Sequence, residues 1–240
     1  MSELFKFKHF IVDQAGSAMK IGTDGVLLGA WTDLSFNPQS VLDVGSGTGV
    51  IALMMAQRST AELIDAVELE DNAYEQTVRN FENSSWSDRL FCYHAGFSQF
   101  AEEMQDEKYD LILCNPPFFA SPLKAAEISE ARQKARFQDS LNYRELIEGV
   151  SVLLHSNGIF SVIIPYRDQE EFIQIAQQVN LFPKRITGVR GRAETELKRS
   201  LMEFSFEKTT LQQDELIIEI ERHQYTPEYT ELVKDFYLKM

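Results

Sequence analysis

The sequence predicts an α/β protein with a doubly wound, Rossmann-like sheet. Short apolar runs alternate with longer amphipathic runs through the middle of the chain, and the apolar runs carry few polar residues on either face. Strands of this kind are typical of a parallel sheet covered by helices on both sides. A glycine-rich turn between the first core strand and the next amphipathic run also favours this fold.

The core strands and helices follow from the short apolar runs and the longer amphipathic runs, taken in chain order. The predicted strands are Ser40–Val44, Leu63–Glu68, Leu90–His94, Tyr109–Cys114 and Gly158–Ile164. The predicted helices between them are Gly49–Gln57, Asn72–Phe81, Tyr143–Leu154 and Gln169–Gln178.

Segments at both ends break the alternation. The stretch "LFKFKHFIVDQ" at the front predicts a short, half-exposed β-hairpin. Near the end, Leu201–Phe206 and Leu216–Ile220 are strand-like with no helical pattern between them, so we expect them to pair antiparallel at the sheet edge. The tail from Pro227 to Leu238 predicts a short closing helix.

The length of 240 residues fits one well-packed domain. We expect residues 39–240 to form the mostly parallel core and residues 1–38 to form a hairpin and helix that cover the site. No apolar run approaches the roughly 20 residues that span a bilayer, and the start lacks the apolar centre of a signal peptide. The expectation is therefore a cytoplasmic protein that does not bind membranes, and no obligate protein partner is inferred.

The net charge and the spacing of potential metal ligands limit which functions the protein can have. The formal net charge of −14 argues against a general polyanion binder, because such binding depends on Lys and Arg contacts to phosphate. A local basic patch could still bind RNA, and Lys184–Arg199 holds six basic residues against two glutamates. A solvated, salt-bridged surface is the alternative. The histidines and cysteines show no metal-site spacing, so we expect no metal.

The turn "DVGSGTG" after the first core strand predicts a ligand-binding loop. Its glycines fall on alternate positions, where missing side chains let the backbone approach a ligand closely. The spacing is GxGxG and not the GxGxxG of dinucleotide sites, and the acidic Asp43 precedes it. A carboxylate there favours a ligand that carries positive charge. The predicted contacts of this loop are Asp43, Gly45, Ser46, Gly47, Thr48 and Gly49.

Two positions after the next strands suit a nucleoside. Glu68 ends the second strand, where a doubly wound fold places the acid that accepts hydrogen bonds from ribose hydroxyls. The alternative is that Glu68 only caps the following helix. Phe97, after the third strand, offers an apolar surface for adenine or belongs to the core, and Ser98 is an expected N-cap. An adenosine with a cationic group describes S-adenosylmethionine.

The fourth strand ends in "NPPF", residues Asn115, Pro116, Pro117 and Phe118. The two prolines remove N–H donors and fix φ, so the Asn115 and Pro116 carbonyls have set directions. The Asn115 side-chain oxygen and the Pro116 carbonyl could accept both protons of a flat amino group, while Phe118 stacks on its base. An ordinary turn after a buried strand is the alternative for this tetrad alone.

These segments together resemble the class I S-adenosylmethionine-dependent methyltransferases that act on planar amino groups. Four further stretches are more specific: "FKFKHFIVDQ", "AMKIGTDGVLLGAW", "NPPFF" and "ARQKARFQDSLNYRELI". They resemble the bacterial tRNA-1(Val) adenine-37 N6-methyltransferase family, and the similarity covers essentially the whole chain. The resemblance implies S-adenosylmethionine as methyl donor and an anticodon-adjacent adenine amino group as acceptor. It also implies that Asn115–Phe118 form the acceptor site.

Several assignments keep two interpretations. Thr23 and Asp24 cap the helix "GVLLGAW", or their turn closes over the methionine end of the donor, with Asn115 beside it. Arg132 and Arg136 share a helix face and either contact anticodon-stem phosphates or pair with nearby acids. The predicted RNA contacts are Lys124, Arg132, Arg136, Arg190 and Arg192.

Alternative functions with the same core are also open. Protein-glutamine N5-methyltransferases and ribosomal RNA guanine-N2 methyltransferases use similar tetrads. A non-catalytic RNA-binding module would show a degraded donor loop or acceptor tetrad, and both are intact here.

Overall fold

A central sheet of eight strands organises the chain. The computed structural model describes residues 3–15, 20–116 and 141–240. The sheet strands are β3 (Ser40–Val44), β4 (Leu63–Glu68), β5 (Leu90–His94), β6 (Tyr109–Cys114), β7 (Leu154–Pro165), β8 (Phe182–Arg190), β9 (Arg199–Ser205) and β10 (Gln212–Ile217). Their spatial order is β10-β8-β9-β7-β6-β3-β4-β5. Strands β3 to β7 are parallel, and β9 runs antiparallel to both β7 and β8.

Helices cover both faces of this sheet. They are α1 (Thr23–Trp31), α2 (Val50–Arg58), α3 (Asp71–Glu82), α4 (Phe97–Glu103), α5 (Tyr143–Leu153), α6 (Gln169–Gln178) and α7 (Pro227–Val233), with a short 3₁₀ turn at Tyr166–Asp168. Successive strand residues point to opposite faces. Val41 therefore packs with α1 and α2, whereas Leu42 packs with α4 and α5. Two apolar layers result, as expected of a doubly wound fold.

Small hairpins flank the sheet at both ends of the chain. Strands β1 (Leu4–Lys6) and β2 (Ile11–Asp13) pair antiparallel, which confirms the expected front hairpin. Strands β11 (Glu219–Glu221) and β12 (Gln224–Tyr225) form a second hairpin ahead of α7. In the described ranges, every helix is too short or too polar to span a membrane.

The expected pairing of the two C-terminal strands is wrong. Strand β9 lies between β7 and β8, and β10 pairs parallel with β8. The cause is β8, which sequence reasoning treated as a basic stretch and not as a strand. Once β8 forms a hairpin with β9, the edge that remains for β10 is the far side of β8. The strand expected at Leu216–Ile220 is also misplaced, because the chain forms β10 at Gln212–Ile217 and β11 at Glu219–Glu221. The predicted core strands and the fold class are confirmed, and the division at residue 38 stays a prediction.

Candidate active site

The glycine loop joins β3 to α2 in a conformation that needs glycine. Gly45, Gly47 and Gly49 have φ of 70°, 59° and 75°, in the left-handed region that other residues rarely adopt. The N–H groups of Gly45 and Ser46 donate to the Val67 carbonyl, which fixes the loop to β4. Within the described ranges, a Cβ on Gly45 or Gly47 would meet nothing within 4 Å. The open space beside the backbone is what a closely bound ligand requires.

Glu68 ends β4 and faces this loop. One carboxylate oxygen accepts from the Gly47 N–H at 2.8 Å, and the other accepts from Leu69 and Glu70, both at 2.9 Å. The N-cap of α3 is Glu70, whose side chain accepts from the Ala73 N–H. Glu68 is therefore not the N-cap, and its carboxylate is held against the glycine loop.

Asp43 is fully buried immediately before the loop. Its Oδ2 accepts from the Ala52 N–H at 3.1 Å, while Oδ1 has no partner among the described residues. Burial raises the pKa of Asp43 to about 7, the Ala52 N–H opposes that shift, and the negative charge of Glu68 adds to it. A bound cation would relieve this unfavourable environment for the carboxylate.

Asn115 follows β6 directly beside the loop, because Cys114 pairs with Val44 and the next residues are Asn115 and Gly45. Its Oδ1 is buried and, within the part of the chain described, accepts no hydrogen bond. A buried acceptor without a donor is costly, on the order of 1–3 kcal/mol. Pro116 is also buried. Pro117 and Phe118 lie outside the described residues.

Helix α1 approaches Asn115 from the other side. A Cβ on Gly25 would lie 3.8 Å from Asn115 Nδ2, so the first turn of α1 borders the acceptor turn. The expectation that Thr23 or Asp24 caps this helix is wrong: Gly22 is the N-cap, and the described structure shows no side-chain cap there. The helix begins earlier than expected, which puts both residues inside its first turn. Asp24 Oδ2 instead accepts from Arg199 Nε at 2.9 Å.

Two residues that sequence reasoning missed support the site. Asn80, buried on α3, exchanges two hydrogen bonds with the backbone of Asp13 and donates to the Thr48 carbonyl, each at 2.9 Å. It ties the front segment to the glycine loop. Leu69 is 49% exposed next to Glu68 and offers an apolar surface there. Neither has a sequence signal, since both depend on contacts between distant segments.

Other predicted site residues divide between the loop and the core. Ser46 is buried, with its hydroxyl 3.4 Å from that of Thr77. Phe97 is also buried, and its ring packs where a Cβ on Gly149 would lie. This position favours the core interpretation, and contact with adenine stays a prediction. The expected N-cap role of Ser98 is wrong, because α4 begins at Phe97 with Gly96 as N-cap.

The predicted RNA contacts are only partly described. Arg190 pairs with Glu215 at 2.6 Å and donates to the Ala193 and Thr195 carbonyls, so it holds the β8–β9 loop. Arg192 is about half exposed and lies 3.6 Å from Glu194. Lys124, Arg132 and Arg136 are outside the described residues. No group of three or more potential metal ligands occurs in the described ranges.

The glycine loop and the Asn115 turn meet at the carboxyl edge of the sheet, where doubly wound folds bind ligands. This arrangement defines an S-adenosylmethionine-dependent methyltransferase of class I. A family model described as "Methyltransferase small domain" matches residues 20–136. A solved structure described as a predicted O-methyltransferase from Agrobacterium tumefaciens has the same fold, with a TM-score of 0.67 at 19% identity over 89% of this chain and 96% of that one.

Relatives along the whole chain give the particular family. The chain is 58% identical to the tRNA1(Val) (adenine(37)-N6)-methyltransferase of Christiangramia forsetii, over 98% of both chains. It is 56% identical to the protein of the same name from Flavobacterium psychrophilum, over 99% of this chain and all of that one. The chain belongs to the tRNA1(Val) (adenine(37)-N6)-methyltransferase family.

Proposed function

We propose that this protein transfers a methyl group from S-adenosylmethionine to N6 of adenine 37 in tRNA1(Val). The observation that carries the reaction is the buried Oδ1 of Asn115, which has no hydrogen-bond partner among the described residues and lies next to the open glycine loop. An acceptor oxygen in that position calls for an N–H donor, and an exocyclic amino group has two. The named relatives support the choice of tRNA and of adenine 37.

The described residues fit the donor. Gly45 and Gly47 leave room beside the backbone, and Glu68 Oε2, which accepts from the Gly47 N–H, keeps one lone pair that can accept from a ribose hydroxyl. Leu69 offers an apolar surface to a flat ring. Asp43 supplies the negative charge that favours a cationic ligand. S-adenosylmethionine, when bound, supplies an activated methyl group.

Catalysis then depends on positioning. Asn115 Oδ1 accepts one proton of the adenine amine, and the Pro116 carbonyl accepts the other, so the nitrogen lone pair is left to attack. The nitrogen gains the methyl group and loses one proton to water. Pro117 and Phe118 are proposed to stiffen this turn and to stack on the base. A tRNA substrate also implies action in the cytoplasm.

The experiment is methyl transfer with labelled S-adenosylmethionine and total RNA from a strain that lacks the enzyme, followed by nucleoside analysis. Label in N6-methyladenosine of tRNA supports the proposal. Label in N2-methylguanosine, or in protein when lysate protein is the substrate, would instead indicate one of the two alternative methyltransferases. No transfer to any acceptor would favour a non-catalytic module.

A variant of Asn115 tests its role. Asn115→Ala should lower kcat at least about a hundredfold and leave donor affinity within about tenfold, because the lost contact belongs to the acceptor. Asn157→Ala, an exposed asparagine in β7, is the matched control and should change neither value. A wholesale loss of donor affinity in Asn115→Ala would show that Asn115 serves the donor.

A further inference from the structure

Charge divides the carboxyl edge of the sheet at Asn115. On the β3–β4–β5 side, the strand ends and following turns carry Asp43, Glu68, Glu70 and Asp71 and no Lys or Arg. On the other side, Tyr166–Asp168 and Arg190–Arg199 carry five basic residues against three acidic ones. In a chain with a net charge of −14, this local excess of positive charge is unusual.

Four exposed residues lie on the basic side, in the turn after β7 and on the loop between β8 and β9, and we call them the β7–β9 surface: Tyr166, Arg167, Arg192 and Lys198. The Tyr166 N–H donates to the Lys198 carbonyl at 3.1 Å, and Pro165 pairs with Arg199. The turn after β7 and the start of β9 are therefore fixed side by side. Tyr166 is 40% exposed, so part of its ring is open to a partner.

The β7–β9 surface lies within reach of the acceptor turn. Cys114 pairs with Val162, so Asn115 is level with Ile163, three residues before Tyr166. A strand spacing of about 4.8 Å and a rise of about 3.3 Å per residue put Tyr166 roughly 11 Å from Asn115. A nucleotide next to the target base can span such a distance.

The nearby acidic groups hold this surface in shape. Asp168 accepts from Arg167 Nε at 3.2 Å and from the Tyr143 hydroxyl at 3.0 Å, which links the turn to α5. The Arg167 side chain is nevertheless 59% exposed. Glu194 and Glu196 are exposed on the loop between β8 and β9 and reduce its net charge. Glu194 lies 3.6 Å from Arg192, whose side chain is still 48% exposed.

We propose that the β7–β9 surface binds the unpaired nucleotides that flank the target adenine, an assignment that rests on the proposed function. A base beside the target stacks on Tyr166, and Arg167, Arg192 and Lys198 contact the neighbouring phosphates. Unstacked bases in RNA loops are commonly bound by aromatic rings in this way. The acidic side of the edge takes the cationic donor, so the polyanion enters from the basic side.

The first test measures binding of an anticodon stem-loop RNA by fluorescence anisotropy. Tyr166→Ala should raise Kd by about five- to a hundredfold. Tyr166→Phe should have the wild-type Kd because the ring is kept. Donor affinity and kcat at saturating RNA should not change. Phe36→Ala removes an aromatic side chain of similar exposure, 38%, in the loop before β3 at the opposite edge, and should leave Kd unchanged.

The second test uses salt dependence. Lys198→Ala and Arg192→Ala should each reduce the slope of log Kd against log salt by about 0.7 to 0.9, the change expected for one lost phosphate contact. Lys208→Ala, after β9 at the opposite edge, is the charge control and should leave the slope unchanged. Tyr166→Ala should weaken binding without changing the slope.

The results separate this proposal from the proposed function. If the wild-type protein methylates tRNA but Tyr166→Ala binds the stem-loop within twofold of wild type, the β7–β9 surface is not the docking site. An equal loss of stem-loop affinity in Phe36→Ala and Tyr166→Ala would overturn the assignment of the β7–β9 surface as well. Failure of the wild-type protein to methylate any tRNA would instead contradict the proposed function.

Discussion

Donor binding should be coupled to a proton on Asp43. In the free protein the pKa of this buried carboxyl is raised to about 7, chiefly by burial, so it is largely protonated in mildly acidic solution. A cationic ligand near it favours the ionised form and lowers its pKa. S-adenosylmethionine should therefore bind more tightly as pH rises toward 7, and binding should release a proton below that pH.

The size of the effect follows from the fraction of ionised Asp43. With a free-state pKa of about 7 and a bound-state value well below 5.5, the ionised fraction at pH 7.5 exceeds that at pH 5.5 by roughly 25-fold. Kd for the donor should fall by about that factor over this range. Above pH 7.5 this group adds no more than about a further 1.3-fold.

Isothermal titration calorimetry in two buffers of different ionisation enthalpy measures both Kd and proton release. Asp43→Asn should bind the donor weakly and without this pH dependence. Asp65→Asn is the matched control, because Asp65 is also buried in the sheet and burial raises its pKa to about 6. Its carboxylate bonds to the Tyr109 hydroxyl, and the variant should keep the pH dependence of donor binding.

A wild-type Kd that is flat between pH 5.5 and 7.5, with no proton release, would refute the coupling. Loss of the pH dependence in Asp65→Asn would also refute the assignment to Asp43. Either result would mean that the Asp43 carboxylate does not sense the donor charge.

Two further predictions concern the donor loop. Gly49→Ala should lower the free energy of unfolding by about 2–3 kcal/mol in chemical denaturation, because φ is positive and its Cβ would lie 2.6 Å from the Phe81 ring. Gly47→Ala, with open space beside it, should lower the free energy of unfolding by about 1 kcal/mol and mainly weaken donor binding. Asn80→Ala should lower the free energy of unfolding by about 1–3 kcal/mol and weaken donor binding in calorimetry, whereas Asn83→Ala, at the C-cap of the same helix, should leave donor binding unchanged. Equal effects within either pair would contradict the roles given to these residues.

The strands next to the site were predictable because their environment is uniform. Helices cover β3, β4 and β6 on both faces, so their apolar runs end where the strands end. Strand β8 was not predictable in this way. Pro183, Lys184 and Arg185 interrupt its apolar pattern, and only Ile186 to Val189 is buried without a break. The mistaken pairing of the last strands follows from that single omission.

The site residues also include some that were predictable from the sequence and some that were not. The glycine loop, Glu68 and Asn115 were predictable because each lies at the carboxyl end of a core strand, and the carboxyl ends of parallel strands meet at one edge. Asn80, Leu69 and Tyr166 were not, because their importance depends on which segments fold beside them. The misplaced start of α1 shows the usual limit of a cap prediction, in which a shift of one or two residues turns an N-cap into a first-turn residue.

A strongly acidic protein can bind tRNA if its acidic residues lie far from the RNA and a few basic residues contact the phosphates directly. At physiological salt the Debye length is about 8 Å, so the field of distant surface acids is largely screened, whereas a cation in contact with phosphate is not. Tyr166 of the β7–β9 surface lies roughly 11 Å from Asn115, and Glu68 is held beside the loop by backbone N–H groups. A cationic donor on the acidic side would neutralise part of the charge that an incoming phosphate meets. The net charge of −14 therefore opposes non-specific binding along RNA, but it has less effect on docking at this edge of the sheet.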